Sequence, residues 1–204
     1  MAELIANYGN WIYAILFLII FVETGLVIFP LLPGDSLLFT AGLFCAGFKN
    51  ENGELITLNL FAVLGLLFIA AVVGDALNYY FGKRIGLKIV ASKFRSKAII
   101  NPKYLDKTAT FYQKYGAKTI IIARFVPIVR TFAPFVAGIG KMPYKDFLKY
   151  NIIGAFAWIT GLTLLGYFFG NLPLVKNNFE LVIFSIIGLS IIPMLFEFIR
   201  SNTK

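Results

Sequence analysis

The chain has 204 residues, of which 59% are hydrophobic and only 14% are charged. An average soluble domain carries about 25% charged residues, so this composition excludes an ordinary soluble enzyme and indicates an integral membrane protein. Histidine is absent, which excludes histidine-based acid–base, nucleophilic and metal chemistry. The single cysteine, Cys45, lies in an apolar run and is interpreted as a small buried hydrophobe. We therefore expect no enzyme activity, no metal and no cofactor.

The first apolar segment covers residues 11–29 and holds one acid, Glu23. No basic residue and no small-residue cleavage site accompany it, so we expect it to stay in the mature protein. Three helix breakers follow it: Pro30, Pro33 and Gly34. As a helix, residues 37–48 would cover only about 18 Å, less than the ~30 Å hydrocarbon core. Residues 11–48 are therefore predicted to form a re-entrant hairpin.

A spanning helix is predicted for residues 55–82, followed by a basic linker at residues 83–118. The linker has ten basic residues and a single acid, and its apolar residues at helical spacing predict an amphipathic helix on the membrane surface. Asn101 followed by Pro102 predicts a helix start, and Gly116 predicts its end. With this linker and the C-terminus in the cytoplasm, the chain obeys the positive-inside rule. The side of the N-terminus stays open, because it depends on whether the first segment spans.

The second half repeats this organisation. Residues 119–140 are apolar but contain two more helix breakers, Pro127 and Pro134, and are predicted to form a second re-entrant hairpin. Spanning helices are predicted for residues 147–170 and 181–199.

Two short fragments recur in the same order along the chain. Residues 38–42 resemble residues 134–138, and residues 77–82 resemble residues 165–170. A hairpin returns to its own side and one spanning helix then crosses, so the second copy would be inverted relative to the first, as in many transporters. The predicted fold is an all-α polytopic membrane protein with two inverted repeats, forming a single domain.

Four ionisable side chains lie in or beside the two broken segments: Glu23, Asp35, Arg124 and Arg130. Each costs roughly 2.5–3.5 kcal/mol at the centre of a membrane helix, so mutual pairing is expected. The arginines predict a phosphate site, because guanidinium binds phosphate oxygens bidentately and broken helices present free backbone N–H groups to anions. The two acids are predicted to couple protons or to gate the site.

Other interpretations of these residues stay open. Asp35 or Ser36 alternatively caps a helix that begins at Leu37. Glu23 and Arg124 alternatively form a fixed ion pair that locks the two hairpins together.

Secondary candidates share one face of the first spanning helix, namely Asp75, Asn78 and Tyr79. They would either line the site or anchor the helix at the membrane interface. For Tyr79 the interfacial aromatic belt is the preferred interpretation, as it is for Trp11, Tyr80, Tyr167 and Phe168.

Taken together, several blocks resemble the DedA family, also called the SNARE-associated or VTT-domain membrane proteins. They are FVETG (21–25), PLLPGD (30–35), GD (74–75), Tyr79, ARFVPIVRT (123–131) and AG (137–138). The resemblance implies two facing re-entrant hairpins and a role in moving lipids between leaflets. It places the family's functional acids and arginines at Glu23, Asp35, Arg124 and Arg130.

Bacterial members of that family are similar to translocases of undecaprenyl phosphate, linked to the proton motive force, whereas eukaryotic relatives scramble phospholipids. The resemblance therefore implies a lipid flippase of the bacterial inner membrane that carries an anionic lipid, with undecaprenyl phosphate as first candidate and protons as coupling ion. The alternatives are a proton-coupled cation or drug antiporter, a phospholipid scramblase and a non-transporting envelope scaffold. The net charge of +9 does not indicate nucleic acid, because most of the excess lies in the linker, where it would face anionic lipid.

Overall fold

The computed structural model describes residues 2–26, 34–49, 55–91, 93–94, 97–98, 102–126 and 129–178, and further residues 181–182, 185–186 and 188. In chain order the elements are α1 (Ala2–Gly25), α2 (Gly34–Ala46), β1 (Phe48–Lys49), β2 (Leu55–Ile56), α3 (Leu60–Ala91), β3 (Lys93–Phe94), β4 (Lys97–Ala98), α4 (Pro102–Tyr115), a 3-10 turn (Gly116–Lys118), α5 (Thr119–Ala123), α6 (Val129–Ile139), α7 (Tyr144–Gly170) and α8 (Pro173–Asn177). The strands form two short antiparallel pairs, β1 with β2 and β3 with β4. The predicted helical class is confirmed.

Two helices are long and apolar enough to cross a bilayer, by length and composition, within the described part of the chain. They are Leu60–Gly86 in α3 and Tyr144–Gly170, which is α7, with 27 residues each. At 1.5 Å per residue each measures about 40 Å, more than the ~30 Å hydrocarbon core. Large apolar side chains remain exposed along them, including Phe61, Phe156 and Phe168. Such faces suit contact with lipid tails better than contact with water.

Helix α3 begins later and ends later than the sequence predicts. Residues 55–56 form strand β2 instead of a first helical turn, and the side chain of Asn59 accepts a hydrogen bond from the backbone N–H of Ala62 at 3.0 Å, which caps the helix at Leu60. At the other end, α3 continues to Ala91, so the predicted boundary between a spanning helix and a separate amphipathic helix is wrong. Lysine and arginine are good helix formers, so a change from apolar to basic residues does not by itself end a helix.

Helix α4 matches its prediction, since it begins at Pro102 and ends immediately before Gly116, whose φ is +58°. Asn101 lies outside the described residues, and so does most of the predicted spanning segment 181–199.

The proline and glycine predictions have mixed outcomes. Pro30, Pro33 and Pro127 lie outside the described residues. The prediction that Pro134 breaks the chain is wrong, because Pro134 lies inside α6, where eight of the eleven residues are buried and packing holds the helix. Helix α2 begins at Gly34, so the alternative prediction that Asp35 or Ser36 caps a helix beginning at Leu37 is also wrong. Asp35 instead lies in the first turn, where the helix dipole favours a negative charge.

The chain divides into two compact units. One comprises Met1–Leu16, Pro33–Leu66 and Ile159–Lys204. Within it, α2 packs against the last turns of α7 without intervening side chains: a Cβ at Gly42 would overlap the carbonyl oxygen of Thr163, and a Cβ at Gly166 would overlap that of Phe39. The rings of Phe39 and Phe169 lie beside this crossing, with centroids 5.6 Å apart.

The other unit comprises Phe17–Leu32 and Leu67–Trp158. Here α6 packs against α3 in the same manner. A Cβ at Gly82 would overlap the carbonyl oxygen of Phe135, and a Cβ at Gly138 would overlap that of Tyr79. Helix α4 is joined to α6 by the hydroxyl of Tyr112, which donates a hydrogen bond to the carbonyl of Ala133 at 2.9 Å.

Replacing Gly82 with Ala is expected to lower the free energy of unfolding by about 2 kcal/mol, because the added methyl group forces the backbone of α6 away from α3. Gly65→Ala, in the same helix but with open space around the new Cβ, is the matched control and should leave stability unchanged or slightly higher. The measurement is reversible unfolding in mixed detergent micelles. Equal stability of the two variants would contradict the close helix crossing.

Candidate functional site

A buried ion pair joins Arg124 to Asp75. Arg124 directly follows α5 and donates from its guanidinium to the carboxylate of Asp75 in α3 and to the side-chain carbonyl of Asn151 in α7. Both charged side chains are only 5% exposed. Asn151 in turn donates its amide N–H to the backbone carbonyl of Val72 at 3.1 Å. Arg124 therefore has acceptors from two different long helices.

A second ion pair joins Arg130, at the start of α6, to Glu23, in the last turn of α1. The side chains are 12% and 1% exposed. Asn78 of α3 donates its amide protons to the backbone carbonyls of Thr24 at 3.0 Å and of Thr131 at 2.8 Å. These are the residues that follow Glu23 and Arg130, so Asn78 fixes the backbone beside both partners of the pair.

Trp158 of α7 lies beside both guanidinium groups. Its ring centroid is 5.8 Å from Cζ of Arg124 and 5.3 Å from Cζ of Arg130, which are cation–π distances. A small cavity lies between these groups, lined by Glu23, Thr24, Asp75, Arg124, Arg130, Thr131 and Trp158. Its volume of about 10 Å³ accommodates about one water molecule. Four charged side chains and one aromatic ring therefore surround a space of about one water molecule.

The cluster is electrically balanced, since two carboxylates face two guanidinium groups. Mutual pairing offsets much of the cost of burying four charges, whereas removing one partner leaves an uncompensated charge.

The nearby hydroxyl of Tyr112, in α4, stays a hydrogen-bond donor, because burial and, to a lesser extent, the charge of Asp75 raise its pKa.

Three of the four predicted charged residues come together here: Glu23, Arg124 and Arg130. The fourth, Asp35, is an exposed residue of α2 and does not line this cavity. The alternative of a fixed pair between Glu23 and Arg124 is wrong, because Glu23 pairs with Arg130 and Arg124 pairs with Asp75. Asp75, a secondary candidate, supplies the second acid.

The other secondary candidates are buried. Asn78 is fully buried and bonded to backbone on both sides. Tyr79 is 3% exposed, donates its hydroxyl proton to the carbonyl of Met142 and stacks on Phe147 with ring centroids 4.5 Å apart. The aromatic-belt interpretation is therefore wrong for Tyr79, although Trp11, Tyr80 and Phe168 are exposed.

Sequence reasoning missed Asn151 and Trp158. They are seven residues apart in α7, which places them on one face of the helix two turns apart, with Gly154 between them. Asn151, Gly154 and Trp158 on one face of an otherwise apolar helix form a pattern that can be detected in the sequence. The pattern indicates a site only once a charged partner, here Arg124, is known to face it.

The long apolar helices and the buried, balanced charge cluster define a helical membrane protein with a polar interior. The VTT domain family matches residues 32–168. The chain is 53% identical to Protein DedA of Escherichia coli (strain K12), over 98% of the chain and 88% of that protein. It is 42% identical to an uncharacterized membrane protein of Mycobacterium tuberculosis, over 92% of the chain and 79% of that protein.

A more distant relative is the inner membrane protein YghB of Escherichia coli (strain K12), 28% identical over 82% of the chain and 72% of that protein. No solved structure matches the chain. The chain belongs to the DedA family of VTT-domain membrane proteins.

Proposed function

We propose that this protein translocates an anionic lipid between the leaflets of the bacterial inner membrane, with undecaprenyl phosphate as first candidate and protons as coupling ion. The observation that carries the proposal is the pair of guanidinium groups beside one small cavity, each already paired with a carboxylate. Guanidinium groups bind phosphate oxygens bidentately, and they do so most strongly where water is excluded.

Charge balance supports proton coupling. The cluster is neutral before a lipid arrives, so an entering phosphate adds one or two negative charges to a buried site. Protonation of Glu23 or Asp75 would restore the balance and would release the corresponding arginine to the phosphate. The lipid and the proton would then cross together. A coupling or gating role for Asp35 stays a prediction.

Similar helix contacts in the two units support the proposed repeats, with the short helix of one predicted repeat packed on the long helix of the other in each unit. In each unit a short apolar helix, α2 or α6, contacts a long helix through a Phe-x-x-Gly pattern. With 13 and 11 residues these short helices cover about 20 Å and 17 Å, too little to cross the hydrocarbon core, as expected for limbs of re-entrant hairpins. By these contacts Gly82 and Gly166 are equivalent positions, because each meets the phenylalanine of a Phe-x-x-Gly pattern. The fragments that recur in the sequence instead align Gly82 with Gly170, one helical turn away.

The test is lipid transport by purified protein in proteoliposomes that carry undecaprenyl phosphate in one leaflet. We expect Arg130→Ala to lower the transport rate by about tenfold or more, since a charge-assisted contact to phosphate is lost. Arg84→Ala is the matched control, because Arg84 is an exposed arginine that packs on the ring of Tyr80, 5.3 Å from its centroid.

Each outcome of this assay is informative. Transport of undecaprenyl phosphate that depends on Arg130 and not on Arg84 supports the proposal. Movement of phosphatidylglycerol or phosphatidylethanolamine instead would make the protein a phospholipid scramblase. Movement of neither lipid class by correctly folded protein would contradict lipid transport and favour the antiporter or scaffold alternatives.

A further inference from the structure

The two arginines beside the cavity differ in how their side chains are held. Both lie beside the ring of Trp158, but Arg124 also contacts two acceptors in the long helices, Asp75 and Asn151. Its aliphatic stem also runs against the backbone of α7 at Gly154, where an added Cβ would lie 3.1 Å from both Cδ and Nε of the arginine. Arg124 is thus enclosed on several sides, and its side chain is 5% exposed.

The groups that hold Arg124 are themselves fixed. Asn151 donates to the backbone carbonyl of Val72, one helical turn before Asp75 in α3. Both acceptors of Arg124 therefore come from the interiors of the long helices α3 and α7, where the backbone is least free to move. Asn151 carries no charge, so its contacts persist when neighbouring carboxyl groups gain or lose protons.

The Arg130–Glu23 pair lies instead at two helix ends. Glu23 is two residues before the end of α1, and Arg130 is the second residue of α6. Asn78 holds the backbone just after each of them, so the two helix ends stay in place when the side chains change partners. The side chain of Arg130 is also more exposed than that of Arg124, at 12%.

We infer that Arg124 is a fixed guanidinium, positioned by Asn151 and by the bare backbone of Gly154, and that Arg130 is the arginine that exchanges its carboxylate partner for the lipid phosphate. The inference rests on the proposed function and deepens it. Phosphate replaces Glu23 on Arg130, while Arg124 keeps Asp75 and contributes its charge from one fixed position. Asn151 and Gly154 are positioning residues.

The test measures the binding of dodecyl phosphate to purified protein in neutral detergent micelles, through the emission of Trp158. The chain has two tryptophans and Trp11 is exposed, so a Trp11→Phe background leaves Trp158 as the reporter. Glu23→Gln removes the carboxylate that competes for Arg130 and should tighten binding by about tenfold. Asp75→Asn adds the same net positive charge to the cluster but leaves Glu23 on Arg130, so it should tighten binding much less than Glu23→Gln does.

A second pair of variants tests the positioning residues. The added Cβ of Gly154→Ala meets the stem of Arg124 and, at 3.2 Å, the backbone Cα of Ile121, three residues before that arginine. Displacement of Arg124 by a few tenths of an ångström should weaken dodecyl phosphate binding by about fivefold and shift the emission of Trp158 before any ligand is added. Gly161→Ala, seven residues further along α7 with open space around its Cβ, is the control and should change neither quantity. If Asp75→Asn does not fold, Asn151→Ala still tests the inference, because it loosens Arg124 while keeping every charge and should therefore weaken binding.

The outcomes separate the two proposals. Tightening in Asp75→Asn equal to that in Glu23→Gln would show that the arginines are interchangeable, and unchanged binding in Asn151→Ala would show that Asn151 does not position Arg124; either result would overturn the inference alone. Absence of dodecyl phosphate binding in every folded variant, including Glu23→Gln, would overturn the proposed function, and the inference with it. Tightening that is several-fold larger in Glu23→Gln than in Asp75→Asn, together with weaker binding in Gly154→Ala, supports both.

Discussion

Replacing Arg124 with Ala is expected to lower the free energy of unfolding by about 3–5 kcal/mol, because the carboxylate of Asp75 then stays buried without its cation. The side-chain carbonyl of Asn151 loses its hydrogen-bond donor at the same time. The measurement is unfolding in mixed detergent micelles, followed by circular dichroism. Lys118→Ala, which removes an exposed positive charge from the turn before α5, should change stability by less than about 0.5 kcal/mol.

A double variant distinguishes the charge imbalance from simple loss of packing. Arg124→Met combined with Asp75→Leu removes both charges and fills similar volumes, and apolar replacement of a buried pair is often close to neutral. We expect most of the lost stability to return while lipid transport does not. A double variant as unstable as Arg124→Ala would show that the stabilisation comes from packing around Arg124 rather than from its pairing with Asp75.

Glu23→Gln is expected to abolish the response of transport to a pH gradient, although the variant should still bind phosphate, and more tightly than the wild-type protein does. If one proton compensates the charge of each lipid, both move from the acidic to the alkaline side. A gradient of about two pH units would then sustain up to about hundredfold accumulation of lipid in the wild-type protein. With glutamine at this position no proton is taken up, so the lipid should only equilibrate between leaflets.

The measurement compares lipid distribution in proteoliposomes with and without the imposed gradient. Asp146→Asn, which neutralises an exposed acid in the first turn of α7, is the matched control and should retain the wild-type response. A Glu23→Gln variant whose accumulation still follows the gradient would exclude Glu23 as the coupling group. Asp75 would then be the remaining acid of the cavity to test.

The sequence identified most of the charged residues of the site but not their partners. Apolar segments interrupted by Glu23, Arg124 and Arg130 already indicate buried charges, since isolated charges in a membrane are costly. Which acid faces which arginine depends on contacts between residues 49 and 107 positions apart in the chain. Local spacing carries no information about such contacts, so the sequence predicts Asp35 in the site and indicates Asp75 only as a secondary candidate.

The predicted helix boundaries were wrong where one sequence signal ends a helix and another continues it. A switch from apolar to basic residues at Lys83 indicates the edge of the membrane, but nothing there stops the helix, and α3 continues to Ala91. Pro134 disrupts a helix in isolation, yet burial of most of α6 keeps it helical. By contrast, Pro102 and Gly116 were predicted correctly because both act through local backbone geometry.

The order of the charged residues along the chain has a consequence for biosynthesis. Glu23 and Asp75 leave the ribosome before Arg124 and Arg130, so both acids reach the translocon before their partners exist. The apolar residues around them must therefore drive insertion into the membrane, although an aspartate at a helix centre opposes insertion by a free energy of roughly 2.5–3.5 kcal/mol. Released chains that end between residues 86 and 124 would therefore hold unpaired acids in the bilayer, and membrane quality-control proteases should remove them faster than chains that extend past Arg130.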